Sequence, residues 1–147
     1  MTTFWLRPAN ADDFAAIKNL VYIARINPLG LKWPRFAIAE NGLGEVIGCA
    51  QIKSHRDGSQ ELASLVVAPD YRGQGIARSL VTHLTGNHKG DLYLTCRSSL
   101  GEFYENFGFE PIDEQQMPPF FRRVSRLASL LDILHKGDET MLVMRRT

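Results

Sequence analysis

Apolar positions along this chain follow two rhythms, one strand-like and one helical, and the switches between them divide it into elements. Residues 4–6 read as a short strand stopped by Pro8. Asn10 followed by Asp13 has the spacing of a helix cap, with a carboxylate near the positive helix end. Phe14, Ile17, Val21 and Ala24 recur at helical spacing, so one face should cover a sheet, and the helix should end before Pro28 and Gly30. Residues 25–35, with Leu29, Leu31 and Trp33, fit either a short second helix or a mobile loop. Three strand-like runs follow at 36–39, 46–52 and 61–67, the second interrupted by Gly48. The turns Asn41-Gly42 and His55-Arg56-Asp57-Gly58 separate them, the pattern of an antiparallel meander.

In the second half, a glycine-rich turn precedes Ile76, Leu80 and Leu84, which share one helical face. Residues 91–95 form a strand candidate. Residues 102–107 form a short helix ended by Gly108, and 109–112 begin another strand. After the Pro118-Pro119 break, Val124, Leu127, Leu131 and Leu134 are expected to face inward on a helix, and 139–144 close the chain as a strand. With no repeat, low-complexity tract or linker, the pattern predicts one α/β domain over 1–147, a sheet with helices on both faces.

Composition narrows the partners. The 147 residues are 44% hydrophobic and 22% charged, enough for a folded core, and the net charge of +1 gives no general pull toward nucleic acid or membranes. No long apolar stretch precedes Arg7 and none anywhere is long enough to span a bilayer, so the expected location is cytoplasmic. Cys49 and Cys96 have no partners at metal-site spacing and read as small core residues. His55, His83, His88 and His135 form no recognised metal motif, and no metal is expected.

The strongest local signal is the stretch Val66-Val-Ala-Pro-Asp-Tyr-Arg-Gly-Gln-Gly-Ile-Ala77, which joins an apolar strand to an amphipathic helix through Gly73 and Gly75. Glycines there permit unusual backbone angles, and the amides of such a turn and the first helical turn surround an anion with donors. The dinucleotide fingerprint needs a third glycine and the P-loop needs Gly-Lys-Ser/Thr; both are missing.

Arg72-Gly73-Gln74-Gly75-Ile76-Ala77 resembles the signature of the GNAT N-acetyltransferases: Arg or Gln, two variable positions, Gly, one variable position, then Gly or Ala. Phe103-Tyr104-Glu105-Asn106-Phe107-Gly108-Phe109 is similar to a second element of that superfamily. The resemblance implies a central, mostly antiparallel twisted sheet with splayed middle strands and helices on both faces. It implies acetyl-CoA as cosubstrate, its pyrophosphate on Arg72, Gly73, Gln74, Gly75, Ile76 and Ala77, and its pantetheine arm along Leu65, Val66 and Val67.

Direct transfer to an amine needs a base for the amine proton and an acid for the departing thiolate. Tyr104 resembles the family's frequent tyrosine acid, and Glu61, at the start of the central strand, resembles the glutamate base of some members. Their structural alternatives are aromatic packing and an exposed strand-end charge. His55 is either a proton relay or a solvent-facing turn residue. Where many relatives carry a pantetheine-contacting asparagine, this chain has Arg97-Ser98-Ser99; Ser99 is placed with the cofactor-binding residues, and Ser98 or Ser99 is expected to cap the helix. An acyl-cysteine at Cys96 has no sequence-defined histidine partner.

The acceptor, an amine-bearing small molecule or peptide, is assigned to segments 25–36 and 113–123. Trp33, Phe36, Phe120 and Phe121 are candidate apolar walls, and Arg122, Arg123 and Arg126 candidate anion contacts. A monomer or homodimer fits the pattern. The alternative function is a non-catalytic acyl-CoA-binding regulatory module.

Overall fold

The computed structural model describes residues 2–131 and 139–147. The chain divides into two compact units, Met1–Lys53 with Leu62–His88, and Ser54–Glu61 with Lys89–Thr147.

The first unit is built on β1 (Phe4–Pro8), β2 (Phe36–Asn41), β3 (Val46–Ser54) and β4 (Gln60–Val67), hydrogen-bonded in that order. β1 pairs antiparallel with β2, and β2 with β3. β1 runs on through Pro8, opposite Ala37. Proline is tolerated there because β1 is the edge strand and one missing N–H breaks no inner ladder.

Helix α1 (Phe14–Ala24) lays Ile17, Leu20 and Val21 on one face of these strands, against Phe36, Ile38, Cys49 and Val66. Helix α2 (Ile76–Gly86) lays Ile76 and Leu80 on the opposite face, against Ala37, Ala39, Ile47 and Ala50. β2 therefore buries both faces, which explains its near-continuous apolar run. A methyl at Gly48 would stand 3.0 Å from Ile76 and 3.3 Å from Leu80. The interruption noted in β3 is thus the place where α2 approaches the backbone.

Asn10 and Asp13 form a reciprocal capping box on one 3-10 turn leading into α1, as their spacing predicts. Arg7 grips Asp13 with two bonds of 2.8 and 2.9 Å. α1 ends at Arg25, which adopts a left-handed conformation (φ 55°). Segment 25–35 holds no second α-helix, only a 3-10 turn at Trp33–Arg35.

In the second unit, β5 (Leu92–Arg97), β7 (Met141–Arg146) and β6 (Glu110–Pro111) form an antiparallel ladder in that order. Glu61, at the start of β4, pairs in parallel with Tyr93 of β5. The fold is thus a mixed, mostly antiparallel sheet with helices on both faces, as expected. β6 is shorter than predicted, because Gly108 (φ 89°) ends the preceding helix and the amide of Phe109 bonds back to Tyr104.

Helices α3 (Gly101–Glu105) and α4 (Pro119–Leu131) complete this unit, whose core includes Tyr93, Met117, Phe121 and Val143. α4 is phased by Phe121: positions 124, 125 and 128 fall on its covered side, and Leu127 turns outward, contrary to the inward face predicted for it. The side chain of Leu131, together with Leu134 and His135, lies outside the described residues. No described helix is long and apolar enough to cross a membrane.

Candidate active site

β4 leaves the first unit's sheet through a 3-10 turn at Pro69–Tyr71, closed by the Tyr71 amide on Ala68 O at 2.9 Å. Arg72 Nε then donates to Val67 O (3.2 Å), and Gln74 Oε1 accepts from the Thr2 amide (2.8 Å). Two of the signature side chains therefore brace the loop. Gly73 and Gly75 sit at φ 77° and 84°, and a Cβ at either would meet nothing within 4 Å. Backbone conformation demands glycine at both positions, and the space beside them is open.

Gly75 is the N-cap of α2, and its carbonyl accepts from Ser79 N at 3.0 Å. The first-turn amides of Ile76 and Ala77 have no carbonyl one turn earlier within the helix, so they add donors and the positive helix end beside that open space. Ile76 is anchored in the core, whereas Ala77 is half-buried. Along the end of β4, Val66 is buried on the α1 face while Leu65 and Val67 pack toward α2.

A residue that sequence reasoning missed lies immediately before them. Ser64 adopts a left-handed conformation inside β4 (φ 59°), a position worth about 1 kcal/mol of strain for a non-glycine residue. Its Oγ meets Gln51 Nε2 at 2.9 Å, and its carbonyl lies 3.6 Å from Cys49 Sγ. Nothing in the pattern Leu-Ala-Ser-Leu-Val announces this, since serine at a strand position carries no turn signal of its own.

In the second unit Glu61 is not an exposed strand-end charge. Its Oε1 lies 2.8 Å from His55 Nε2, and both side chains are nearly covered. The His55 ring stacks on Phe120 with centroids 3.6 Å apart and meets the edge of Phe121 at 5.6 Å. The turn that holds His55 is closed by its amide on Ser59 O and by Gly58 at φ 89°. Asp57 ties this turn to α4. Its carboxylate accepts from the Phe120 amide (2.9 Å), the Ser59 amide (2.8 Å) and the Ser59 hydroxyl (2.6 Å). Burial pushes the Asp57 carboxyl up, but these three bonds, helped by the nearby His55, outweigh it and hold the group below the usual carboxylate range.

Tyr104 is buried on α3, edge-on to Phe103 and Phe109 at 5.0 and 6.1 Å. Burial, reinforced by the neighbouring Cys96, pushes its phenol up to about 12, so it keeps its proton at neutral pH. Burial likewise raises Cys49 to about 12 and Cys96 to about 11. Both thiols are therefore poor nucleophiles, and the expected core position holds fully for Cys49 while Cys96 is half-buried.

Several sequence expectations change. Neither Ser98 nor Ser99 caps α3, whose N-cap is Leu100. Ser98 Oγ accepts from the Thr140 amide, and Ser99 Oγ bonds Glu139, tying both to the chain entering β7. Phe36 and Phe121 are core residues, Trp33 packs beside the first core, and Phe120 is half-buried on His55. Arg122 donates to the carbonyls of Glu114 and Met117, and Arg126 pairs with Glu114, so both are already engaged. Among the described residues no group of three or more His, Cys, Asp or Glu is arranged to hold a metal.

The acetyltransferase (GNAT) domain family matches residues 32–111, more than half of the chain. GCN5-related N-acetyltransferase 2, chloroplastic, of Arabidopsis thaliana is 29% identical over 116 residues, 72% of this chain. The chain spans less than half of that relative's length, 45%. In fold it is similar to N-acetylglutamate synthase from Neisseria gonorrhoeae, solved with coenzyme A and N-acetyl-glutamate (TM-score 0.72, 21% identity, 99% of this chain and 35% of the other). It is also similar to Rv2747 from Mycobacterium tuberculosis, solved with CoA and NLQ (TM-score 0.71, 22% identity, 97% and 98%). The family match spans β2 through β6 and contains both the glycine loop and the Tyr104 helix; this chain belongs to the GNAT acetyltransferase family.

Proposed function

We propose that this chain is an N-acetyltransferase that moves the acetyl group of acetyl-CoA directly to a primary amine. The observation that carries this reading is the loop after β4, where two glycines at positive φ open onto free space beside the first amides of α2. An anion the size of a pyrophosphate has donors there from successive backbone N–H groups. The preceding Leu65–Val67 backbone is the stretch assigned to the pantetheine amides, with Arg72 holding the strand end in place.

In the proposed reaction the neutral amine forms a bond to the thioester carbonyl carbon and the carbon–sulfur bond breaks. Glu61, hydrogen-bonded to His55, takes the amine proton directly or through water, and Tyr104 gives its proton to the departing thiolate. Exchange with solvent restores both groups. The raised Tyr104 phenol suits the acid role and not that of a base. Ser99 belongs to the stretch where many relatives carry a pantetheine-contacting asparagine, and here its hydroxyl is turned to Glu139.

The test is a screen of amine acceptors with acetyl-CoA, read by free thiol release and product mass. Acetylated product from one amine class is expected. Tight acetyl-CoA binding with no product from any amine would replace this reading with a binding module.

A further inference from the structure

Two polar side chains on the α1 face of β3 are buried with hydrogen-bonding capacity left over. Gln51 is fully buried; its Nε2 donates to Ser64 Oγ at 2.9 Å and Gly30 O at 3.3 Å, but its Oε1 has no hydrogen-bond partner among the described residues. Lys53, two residues on along the same strand face, is only 8% exposed. Its Nζ donates to Leu29 O at 2.9 Å, the one partner found for it among the described residues, none of whose carboxylates lies within ion-pair reach. An ammonium carries three donors and a full charge, and one neutral carbonyl takes up a single donor and none of the charge. Such a pair calls for a ligand bearing an anion for Nζ and an N–H for Oε1.

The surroundings say where that ligand belongs. Leu29 and Gly30 lie in the 25–36 segment, the part of the chain assigned to the acceptor. Ser64, bonded to Gln51, is the left-handed residue immediately before the Leu65–Val67 stretch assigned to the thioester arm. Gln51, Lys53, Ser64 and the 29–30 loop all belong to the first unit. An orphaned acceptor and a charge-poor lysine therefore adjoin the cofactor strand under the acceptor loop.

We propose that Lys53 and Gln51 are an acceptor-recognition subsite for an amine that also bears a carboxylate, of the amino-acid type. The carboxylate takes Lys53 Nζ in place of, or beside, Leu29 O, and an N–H of the same molecule donates to Gln51 Oε1. This rests on the acetyltransferase reading above and adds the chemical class of its acceptor. Recognition is a positioning role: Lys53 holds the substrate and exchanges no proton with it.

The experiment pairs free amino acids with their carboxamides, which keep the amine and lose the anion. Wild-type protein is assayed with acetyl-CoA and each pair, and Lys53→Met and Lys53→Arg are assayed with the best acid. Turnover confined to the acids is expected, with KM for the acid raised about tenfold or more in Lys53→Met, partly recovered in Lys53→Arg, and acetyl-CoA affinity unchanged. Carboxamides turned over as well as acids by the wild type would overturn the subsite and leave the acetyltransferase reading standing, and that arm needs no variant to fold. If no amine is acetylated, the subsite is still decided with protein carrying 13C-labelled lysine, the Lys53 side-chain signal being identified by its loss in Lys53→Arg. A shift of that signal with acids and not with carboxamides upholds the site; no shift with either reduces Lys53 to a latch on the 29–30 loop and ends the proposal.

Discussion

His55 Nε2 and Glu61 Oε1 lie 2.8 Å apart, the two residues bracketing the β3–β4 turn, and the histidine ring is clamped by Phe120. The stack fixes the imidazole plane and leaves its hydrogen bond to the carboxylate as the main polar contact. A carboxylate held this way is oriented before any ligand arrives.

The pair makes the first prediction. Once an acceptor is known, Glu61→Gln should slow single-turnover transfer about 10–100-fold with acetyl-CoA affinity near wild type. His55→Gln should give a smaller loss, because it removes the hydrogen-bond partner without removing the carboxylate. Stopped-flow thiol release across pH 6–9 would read both, as order-of-magnitude expectations for a positioned base. Equal rates for wild type and Glu61→Gln throughout would remove Glu61 from the chemistry.

Tyr104 supplies the second. Tyr104→Phe keeps the ring contacts with Phe103 and Phe109 and removes only the proton donor. The chemical step should fall about 10–1000-fold while acetyl-CoA binds normally. Because burial raises the phenol to about 12, the wild-type rate should show no decline from tyrosine ionisation at any pH where the fold survives. A matching loss of CoA affinity would make Tyr104 a packing residue.

A third prediction concerns Gly75, at φ 84° with open space beside it. Asparagine tolerates the left-handed region, whereas a β-branched residue does not. Gly75→Asn should fold and keep much of the acetyl-CoA affinity, and Gly75→Val should lose most of it through a distorted turn. Titration calorimetry alongside circular dichroism separates the two. Equal binding by both variants would mean that the turn does not hold the cofactor.

Asp13 gives the fourth, on stability. The Arg7 guanidinium, against the opposing effect of burial, holds its carboxyl below the usual range, with the Asn10 amide helping. Asp13 thus binds its proton more weakly in the folded chain than in the unfolded one. Its contribution is complete above the unfolded value of about 4 and disappears as pH falls through the lower folded value. Asp13→Ala should cost about 2 kcal/mol at neutral pH, from the lost cap and ion pair, and the deficit should shrink on acidification. Urea melts at pH 7 and near pH 3 would show it; a deficit independent of pH would assign the loss to packing alone.

Much of this protein follows from local pattern. Period-four and period-two apolar spacing located α1, α2 and the strand cores, because those elements each turn one side toward a core. The Asn10–Asp13 box and Gly73, Gly75 and Gly108 were legible because capping and left-handed turns are properties of a few consecutive residues. The arginine–glycine loop and the Tyr104 segment identified the family for the same reason.

What the local pattern did not contain was decided by residues far apart in the chain. His55 became a covered partner of Glu61 only when Phe120 packed onto it, and Leu127 faced outward because Phe121 set the rotation of α4. Arg122 and Arg126 were engaged by the 114–117 turn, and Ser98 and Ser99 by the chain entering β7. Ser64 was driven into a left-handed conformation, and Gln51 and Lys53 were buried beneath residues 29–30. In each case the sequence alone determined what a side chain can donate, accept or cover, while the partner it meets depended on which distant backbone the fold brought within about 3 Å of it.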